Sequence, residues 1–208
     1  MSAVFVTGTD TNVGKTIASA ALVAAWNADY WKPAQTGWPQ DDDTRAVTDL
    51  ARLAPPRVHA SQYALPEPVS PHLAARLAGT SIHLADFTLP ATNRPLVVEG
   101  AGGLLVPLND KHTMADLVTH LRLPAVIVAR TTLGTINHTL LTLEAARARG
   151  IRVLGVLLSG PENQENAQAI THHGRTRVLA HLPLLTRITP DAVQELARRV
   201  PPLSEVLA

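Results

Sequence analysis

Short apolar runs alternate with segments of helical length along most of the chain. Apolar runs at residues 3–7, 95–99, 124–129, 153–159 and 178–182 predict strands, and residues 30–33 predict a shorter extended piece. Because neighbouring positions in each run are apolar, both faces of every strand should be covered by other elements. This alternation predicts an α/β fold with a doubly wound, mostly parallel sheet and helices on both faces.

The segments between these runs carry the composition and end signals of helices. Residues 16–26, 114–121, 136–149, 165–173 and 189–200 are predicted to be helical. Gly150 and Gly174 follow two of them, in the place that glycine usually takes just beyond a helix end. The last helix should begin at Thr189, which offers a capping hydroxyl, with Pro190 at the first helical position and Asp191 in the first turn.

Residues 54–95 form the irregular part of the chain and hold much of its proline. We expect this stretch to leave the sheet without forming a separate domain. A length of 208 residues also suits one large domain better than two. Residues 1–208 are therefore predicted to form a single domain.

Composition narrows the classes of protein that need to be considered. A net charge of +1 gives no sign of the basic face that nucleic-acid binders usually carry. The chain has no cysteine, which excludes disulfides and cysteine-ligated zinc. The first residues lack the pattern of a signal peptide, and no apolar run approaches the ~20 residues of a spanning helix. A cytoplasmic protein without membrane or nucleic-acid partners is the resulting expectation.

The strongest local signal is the loop GTDTNVGKT at residues 8–16, which follows the first strand and opens the first helix. In that context the backbone N–H groups, the helix N-terminus and Lys15 can bind the phosphates of a nucleotide. The hydroxyl of Thr16 is placed to hold Mg²⁺ against the phosphates. Five residues separate Gly8 from Gly14, where the strict consensus has four, so the loop is a variant of the P-loop NTPase type.

A P-loop requires a carboxylate at a neighbouring strand end, and Glu99 ends the apolar run LVVE. The small residues GAGG at 100–103 follow it and would permit close approach of a ligand to the backbone. The acidic run at residues 41–43 is a second candidate source of a metal ligand, although such runs are commonly solvated turns. Lys32, which precedes a proline, could stabilise negative charge near the phosphates or be an ordinary surface lysine.

Four segments together resemble the dethiobiotin synthetase family. They are FVTGTDTNVGKT at residues 5–16, WKPAQTG at 31–37, VVEGAGGLLVPL at 97–108 and LGTINHTLLTLEAAR at 133–147. Their order and approximate separation agree with the family, and the resemblance covers nearly the whole chain. The five-residue spacing of the phosphate loop is the variant found in that family.

The resemblance implies an ATP-dependent ligase of biotin biosynthesis that uses Mg²⁺. Members of the family convert 7,8-diaminononanoate, CO₂ and MgATP to dethiobiotin, ADP and phosphate. One amine becomes a carbamate, whose oxygen attacks the γ-phosphate and gives a carbamic–phosphoric anhydride. The second amine then closes the ureido ring and expels phosphate. Such an enzyme needs positioning and charge stabilisation but no covalent intermediate with the protein.

The resemblance also implies a role for particular positions. Lys15 and Lys32 would be catalytic, and Thr16, Asp43 and Glu99 would hold the metal. Thr36 would contact the diamine, and the helix start at Gly134, Thr135, Ile136 and Asn137 would bind its carboxylate near the interface of a homodimer. The remaining nucleotide contacts would come from Asn12, Val13, Gly14, Ile17, Gly100, Ala101, Gly102, Ser159, Gly160, Pro183, Leu184 and Leu185.

Some positions depart from the family. Many members read adenine with an Asn-Asp pair after the later strand, but Ser159 and Gly160 stand there, so base preference is open. Asn12 stands where several relatives have Glu. The stretch between the first helix and Lys32 leaves little room for the usual turn and strand.

Two alternatives remain at this point. One is a non-ligase ATPase switch of the partitioning or division-site type. Such proteins typically carry an extra lysine early in the loop, where this chain has Asp10, and often a membrane-binding tail. The other is a related ligase that acts on a different diamine.

Overall fold

The structure, a computed structural model, describes residues 2–208. Seven strands form one sheet, in the order β4 (Val58–His59), β2 (Asp29–Trp31), β6 (Leu96–Gly103), β1 (Ala3–Gly8), β7 (Ala125–Arg130), β8 (Val153–Ser159) and β9 (Val178–Leu182). Every pairing in this sheet is parallel. Two further strands, β3 (Ala34–Thr36) and β5 (Tyr63–Leu65), pair in parallel beside it.

The described chain also has eight α-helices, besides two single-turn 3-10 helices at Pro55–Arg57 and Leu84–Asp86. They are α1 (Lys15–Trp26), α2 (Asp43–Leu50), α3 (Pro71–Leu77), α4 (Met114–His120), α5 (Thr135–Arg147), α6 (Gln164–Gly174), α7 (Pro190–Ala197) and α8 (Leu203–Leu207). Within residues 2–208, none of them is long and apolar enough to cross a bilayer.

Successive side chains of the central strand point to opposite faces of the sheet. Val4 and Val6 of β1 belong to an apolar cluster with α1, α2, α7 and α8. Phe5, between them, belongs to a cluster on the other face with α3 and α4, and α5 and α6 extend that face. Burial of both faces explains why apolar residues occupy most positions of these strands. The predicted fold class is confirmed.

The irregular stretch at residues 54–95 contributes more to the sheets than the sequence predicted. Its two-residue strand β4 pairs with β2 and forms one edge of the main sheet. Another of its strands, β5, pairs with β3. A strand of two or three half-buried residues carries too little periodicity to be seen in a sequence.

The strand that carries Glu99 is longer than predicted. β6 continues through residues 100–103, and Gly103 pairs with Gly8 after a shift in register. Gly102 has a φ of 65°, and a side chain there would meet the side chain of Val106 at 2.7 Å. Glycine therefore lets this strand turn beside the phosphate loop without a steric clash.

The end of α6 differs from the prediction. Gly174 lies inside the helix, and Arg175 takes the left-handed conformation that was expected of the glycine. A side chain at Gly174 would approach Leu143 of α5 at 2.8 Å, so glycine lets the two helices pack closely without a shift of that leucine. The helix α7 likewise ends at Ala197, three residues before the predicted end.

The short connection after α1 is sufficient for a turn and a strand. Asn27 adopts a left-handed conformation with a φ of 49°, and its N–H bonds the carbonyl of Val23. The strand β2 begins at Asp29, only two residues later. A single left-handed residue thus ends the helix and leads directly into the next strand.

Candidate active site

The phosphate loop connects β1 to α1 at the carboxyl edge of the sheet. Gly14 precedes the helix with a φ of 92°, and a side chain there would meet the hydroxyl of Ser159 at 2.7 Å. No side chain caps this helix N-terminus. The first N–H groups of α1 are consequently available to an anion, and the helix dipole favours one.

Lys15 lies over the loop at the mouth of this helix. Its ammonium Nζ is 3.1 Å from the carbonyl oxygen of Asp10, and the residue is only 8% exposed. Burial lowers the pKa of Lys15, and the nearby charge of Lys32 lowers it further, while Glu99 opposes the change. An anion bound in the loop would supply the opposite charge that this buried ammonium lacks.

Three oxygen-bearing side chains converge beside the loop. The hydroxyl of Thr16 donates to Asp43 Oδ1 at 2.6 Å and lies 3.4 Å from Glu99 Oε1. These residues come from α1, α2 and β6, which lie far apart in the sequence. A hydroxyl with two carboxylates is a donor set that suits Mg²⁺, since this ion prefers oxygen ligands and keeps several waters.

Lys32 lies between the two carboxylates. Its Nζ is 2.6 Å from Asp43 Oδ2 and 3.0 Å from Glu99 Oε1, and its side chain is 4% exposed. Burial alone would lower the pKa of Lys32, but the two carboxylates outweigh that effect and the pKa is raised. Burial would raise the pKa of Asp43, yet the Lys32 ammonium brings it below its usual value. Lys32 and Asp43 are therefore both charged at neutral pH in a largely buried cluster.

Two buried residues that the sequence did not single out support this cluster. The hydroxyl of Tyr30 donates to Glu99 Oε2 at 3.1 Å. Gln35 donates to the carbonyls of Thr36 and Asp41 at 2.6 Å each, and its own oxygen accepts the N–H of Asp43 at 3.3 Å. Gln35 stands in the motif WKPAQTG, but a polar residue in a motif does not reveal that its side chain turns inward.

The acidic run divides into three different roles. Asp42 caps α2 by accepting the N–H of Arg45. Asp43 is the first residue of that helix and faces Lys32. Asp41 lines the cavity described next. Asp43 is thus the acid of this run that contacts Thr16 and Lys32, and its role as a metal ligand stays a prediction.

A cavity of about 590 Å³ opens in front of the loop and the charged cluster. The residues predicted to bind nucleotide, metal or diamine that line it are Asn12, Gly14, Lys15, Thr16, Ile17, Lys32, Thr36, Asp43, Glu99, Ala101 and Gly102. Residues 68–71, from the irregular stretch, form part of its wall, and no sequence signal marked them. The carbonyl of Gly100 lies 3.4 Å from Lys32 Nζ, and Val13 is buried in the apolar core.

The other predicted site residues lie outside that cavity. Gly134, Thr135, Ile136 and Asn137 begin α5. The next residue, His138, lines a second cavity of about 400 Å³ with apolar residues of the 103–107 segment. Thr11 and Val106 line both cavities, so the two are adjacent.

The positions expected to contact the base follow β8 and β9. Ser159 and Gly160 lie at the end of β8, with Ser159 close to Gly14 of the phosphate loop. Pro183, Leu184 and Leu185 follow β9, where Leu184 is 70% exposed and Leu185 packs against the core. Both segments are at the same edge of the sheet as the loop, but their contact with a base stays a prediction.

Most of the chain is similar in sequence to known proteins. A family model described as an AAA domain matches residues 2–192. The ATP-dependent dethiobiotin synthetase BioD of Paramagnetospirillum magneticum is 53% identical over 193 residues, which cover 93% of each chain. The biotin biosynthesis bifunctional protein BioCD of Bordetella avium is 52% identical over 99% of this chain, which spans only 44% of that longer protein.

Solved structures with the same fold are much more distant in sequence. The cell division ATPase MinD of Pyrococcus furiosus superposes with a TM-score of 0.56 at 14% identity, and 100% of both chains is covered. A ParA family ATPase from Chlorobium tepidum TLS gives a TM-score of 0.51 at 15% identity, covering 99% of this chain and 90% of the other. These similarities show the fold alone and do not favour an ATPase switch. Because relatives of about half identity span almost all of it, the chain belongs to the ATP-dependent dethiobiotin synthetase family.

Proposed function

We propose that this protein closes the ureido ring of dethiobiotin from 7,8-diaminononanoate and CO₂ at the expense of ATP. The observation that carries the proposal is that two lysines and three oxygen-bearing side chains meet around one cavity of about 590 Å³. They are Lys15, Lys32, Thr16, Asp43 and Glu99. Family membership supplies the reaction, and the charges in this cavity fit its phosphoryl-transfer step.

The phosphate loop would bind the triphosphate of ATP. The uncapped N-terminus of α1 offers N–H groups, and Lys15 offers the only full positive charge on the loop. Burial of Lys15 strengthens its attraction to a phosphate, because the interaction is less screened than in water. Binding of the anion would in turn raise the lowered pKa of this lysine.

Thr16, Asp43 and Glu99 would hold Mg²⁺. The Thr16 hydroxyl lies 2.6 Å from Asp43 Oδ1 and 3.4 Å from Glu99 Oε1, so the three oxygens are close enough to share one ion. Bound there with ATP, Mg²⁺ would neutralise charge on the phosphate oxygens. A role for this ion agrees with the ATP-dependent relatives.

Lys32 would stabilise the charge that develops as the carbamate oxygen attacks the γ-phosphate. Its raised pKa keeps the ammonium protonated at neutral pH, and Asp43 and Glu99 hold it in place. Such fixed charges are effective because they require little reorganisation during the reaction. The carbamate itself forms from one substrate amine and CO₂, and the second amine displaces phosphate to close the ring.

The apolar groove beside the cavity would bind the rest of the diamine and a second copy of the chain. Leu105 and Leu141 line this groove and expose 49% and 55% of their surface, more than is usual for leucine. Leu133, which precedes α5, is 102% exposed. The groove adjoins the nucleotide cavity at Thr11 and Val106. A homodimer formed through this face would bring residues 134–137 to the carboxylate of the substrate. A cytoplasmic location and a single domain also remain predictions.

The direct test is to incubate the protein with diaminononanoate, bicarbonate and MgATP. Mass spectrometry should detect dethiobiotin, and phosphate release should require the diamine. The variant Lys15→Ala and a reaction without diamine are the controls. Hydrolysis of ATP without any ureido product would contradict the proposal, and turnover of another diamine in its place would assign the chain to a related ligase.

A further inference from the structure

Tyr30 lies directly behind the charged cluster. It is the middle residue of β2 and is completely buried. Its ring belongs to the apolar cluster that β2 forms with α1 and α2. Its hydroxyl emerges from that cluster and donates to Glu99 Oε2 at 3.1 Å.

The two oxygens of the Glu99 carboxylate have different partners. Oε1 accepts a hydrogen bond from Lys32 at 3.0 Å and lies 3.4 Å from the Thr16 hydroxyl, on the side of the cavity. Oε2 accepts a hydrogen bond from the Tyr30 hydroxyl on the side of the core. Among the described residues 2–208, this is the one hydrogen bond that Oε2 accepts. The last torsion of a glutamate side chain is broad and only roughly two-fold, so packing by itself fixes it poorly.

From this arrangement we infer that Tyr30 is a positioning residue for the reaction. Its hydroxyl fixes the plane of the Glu99 carboxylate, so that Oε1 is directed at Thr16 and Lys32, where the metal would bind. This inference rests on the proposed function, because it assigns the support of a ligand in that same site. Hydrogen-bonding partners of metal ligands typically change metal affinity or activity by about 10- to 100-fold when removed.

The surroundings of the phenol suit this role. Burial raises the pKa of Tyr30 well above its usual value, and Glu99 raises it further. The ring lies in the same buried apolar cluster as side chains of α1 and α2, which restrict where the donor can move. A phenylalanine would keep this packing and remove only the hydrogen bond.

The test compares Tyr30→Phe with Tyr63→Phe, which is a matched control. The chain has two tyrosines, and both donate to a carboxylate. The partner of Tyr63 is Asp86, which does not line the nucleotide cavity. We expect Tyr30→Phe to raise the half-saturating Mg²⁺ concentration about tenfold and to lower kcat, with little change in the KM for diamine. Tyr63→Phe should behave as the wild type does.

A second readout does not depend on turnover. Binding of Mn²⁺ to the complex with a non-hydrolysable ATP analogue can be measured by electron paramagnetic resonance. Tyr30→Phe should weaken this binding about tenfold in the wild-type background and leave it unchanged in Glu99→Gln. An equal loss in both backgrounds would show that Tyr30 does not act through Glu99, and no loss in either would also overturn the inference.

The same variants keep the test decisive if the single substitution unfolds the protein. In that case the thermal unfolding midpoints are compared with those of Glu99→Gln and of the double variant. If the double variant folds although Tyr30→Phe alone does not, the two residues are coupled. If Tyr30→Phe unfolds the protein equally with and without Glu99→Gln, the coupling is contradicted. Failure of the wild type to make dethiobiotin would instead reject the proposed function, and the Mn²⁺ measurement would still judge the coupling.

Discussion

Replacing Lys32 by methionine tests the centre of the proposed site. The substitution keeps an unbranched side chain but removes the cation that lies 2.6 Å from Asp43 and 3.0 Å from Glu99. Removing one partner of a buried ion pair typically costs about 3–5 kcal/mol. Asp43 is 33% exposed and can be hydrated, whereas Glu99 is fully buried and would lose its cation. We therefore expect the free energy of unfolding to fall by about 2–4 kcal/mol at neutral pH.

The same variant should affect chemistry more than nucleotide binding. Loss of a fixed donor that stabilises developing charge lowers turnover by about 10²- to 10³-fold. Nucleotide affinity should fall much less, because the N–H groups of the loop and Lys15 remain. Calorimetry with MgATP, phosphate release and urea unfolding measure the three effects separately. The control is Lys111→Met, since Lys111 is exposed and does not line the cavity.

Two results would refute this reasoning. An unchanged unfolding midpoint would show that burial of the two carboxylates does not need the charge of Lys32. An equal loss of nucleotide affinity and turnover would show that Lys32 is a binding group and not a stabiliser of developing charge.

A double variant tests the ion pair itself. Adding Asp43→Asn to Lys32→Met should cost less stability than Asp43→Asn does alone, because the ion pair has already been removed.

Three further predictions concern the loop and its neighbours. Lys15→Ala should abolish diamine-dependent phosphate release, because the phosphates lose the full charge on the loop. Gly14→Ala should raise the Kd for MgATP about tenfold in calorimetry. A left-handed alanine is strained by about 1–2 kcal/mol, and its Cβ would meet Ser159 at 2.7 Å. Adding Ser159→Gly to this variant should restore part of the affinity. The pKa of Asp43 is below its usual value, so its contribution to stability is complete above the unfolded pKa and is lost as pH falls through the folded one. Asp43→Asn should therefore make the unfolding midpoint less sensitive to pH below about 4, and an unchanged acid dependence would contradict this role.

Local patterns identified the parts of the site that are contiguous in sequence. The phosphate loop, Lys15 and Thr16 lie within one segment, and its glycines and its position between a strand and a helix are visible without a structure. Apolar runs likewise identified five strands of the main sheet, because burial on both faces favours apolar residues at most positions. The resemblance to the family added Asp43, which the acidic run alone could not distinguish from its neighbours.

Contacts between distant segments required the tertiary structure. Tyr30 and Glu99 are 69 residues apart, and Lys32 and Glu99 are 67 apart, so no local pattern relates them. The inward turn of Gln35 and the contribution of residues 68–71 to the cavity also depend on how β3, β5 and α2 pack. Thus the sequence by itself determined the fold class and the phosphate loop, since periodicity and glycine geometry act over a few residues. The order of the strands, the pairing of the buried charges and the support of Glu99 were decided only by folding, because long-range burial determines which distant side chains share one desolvated site.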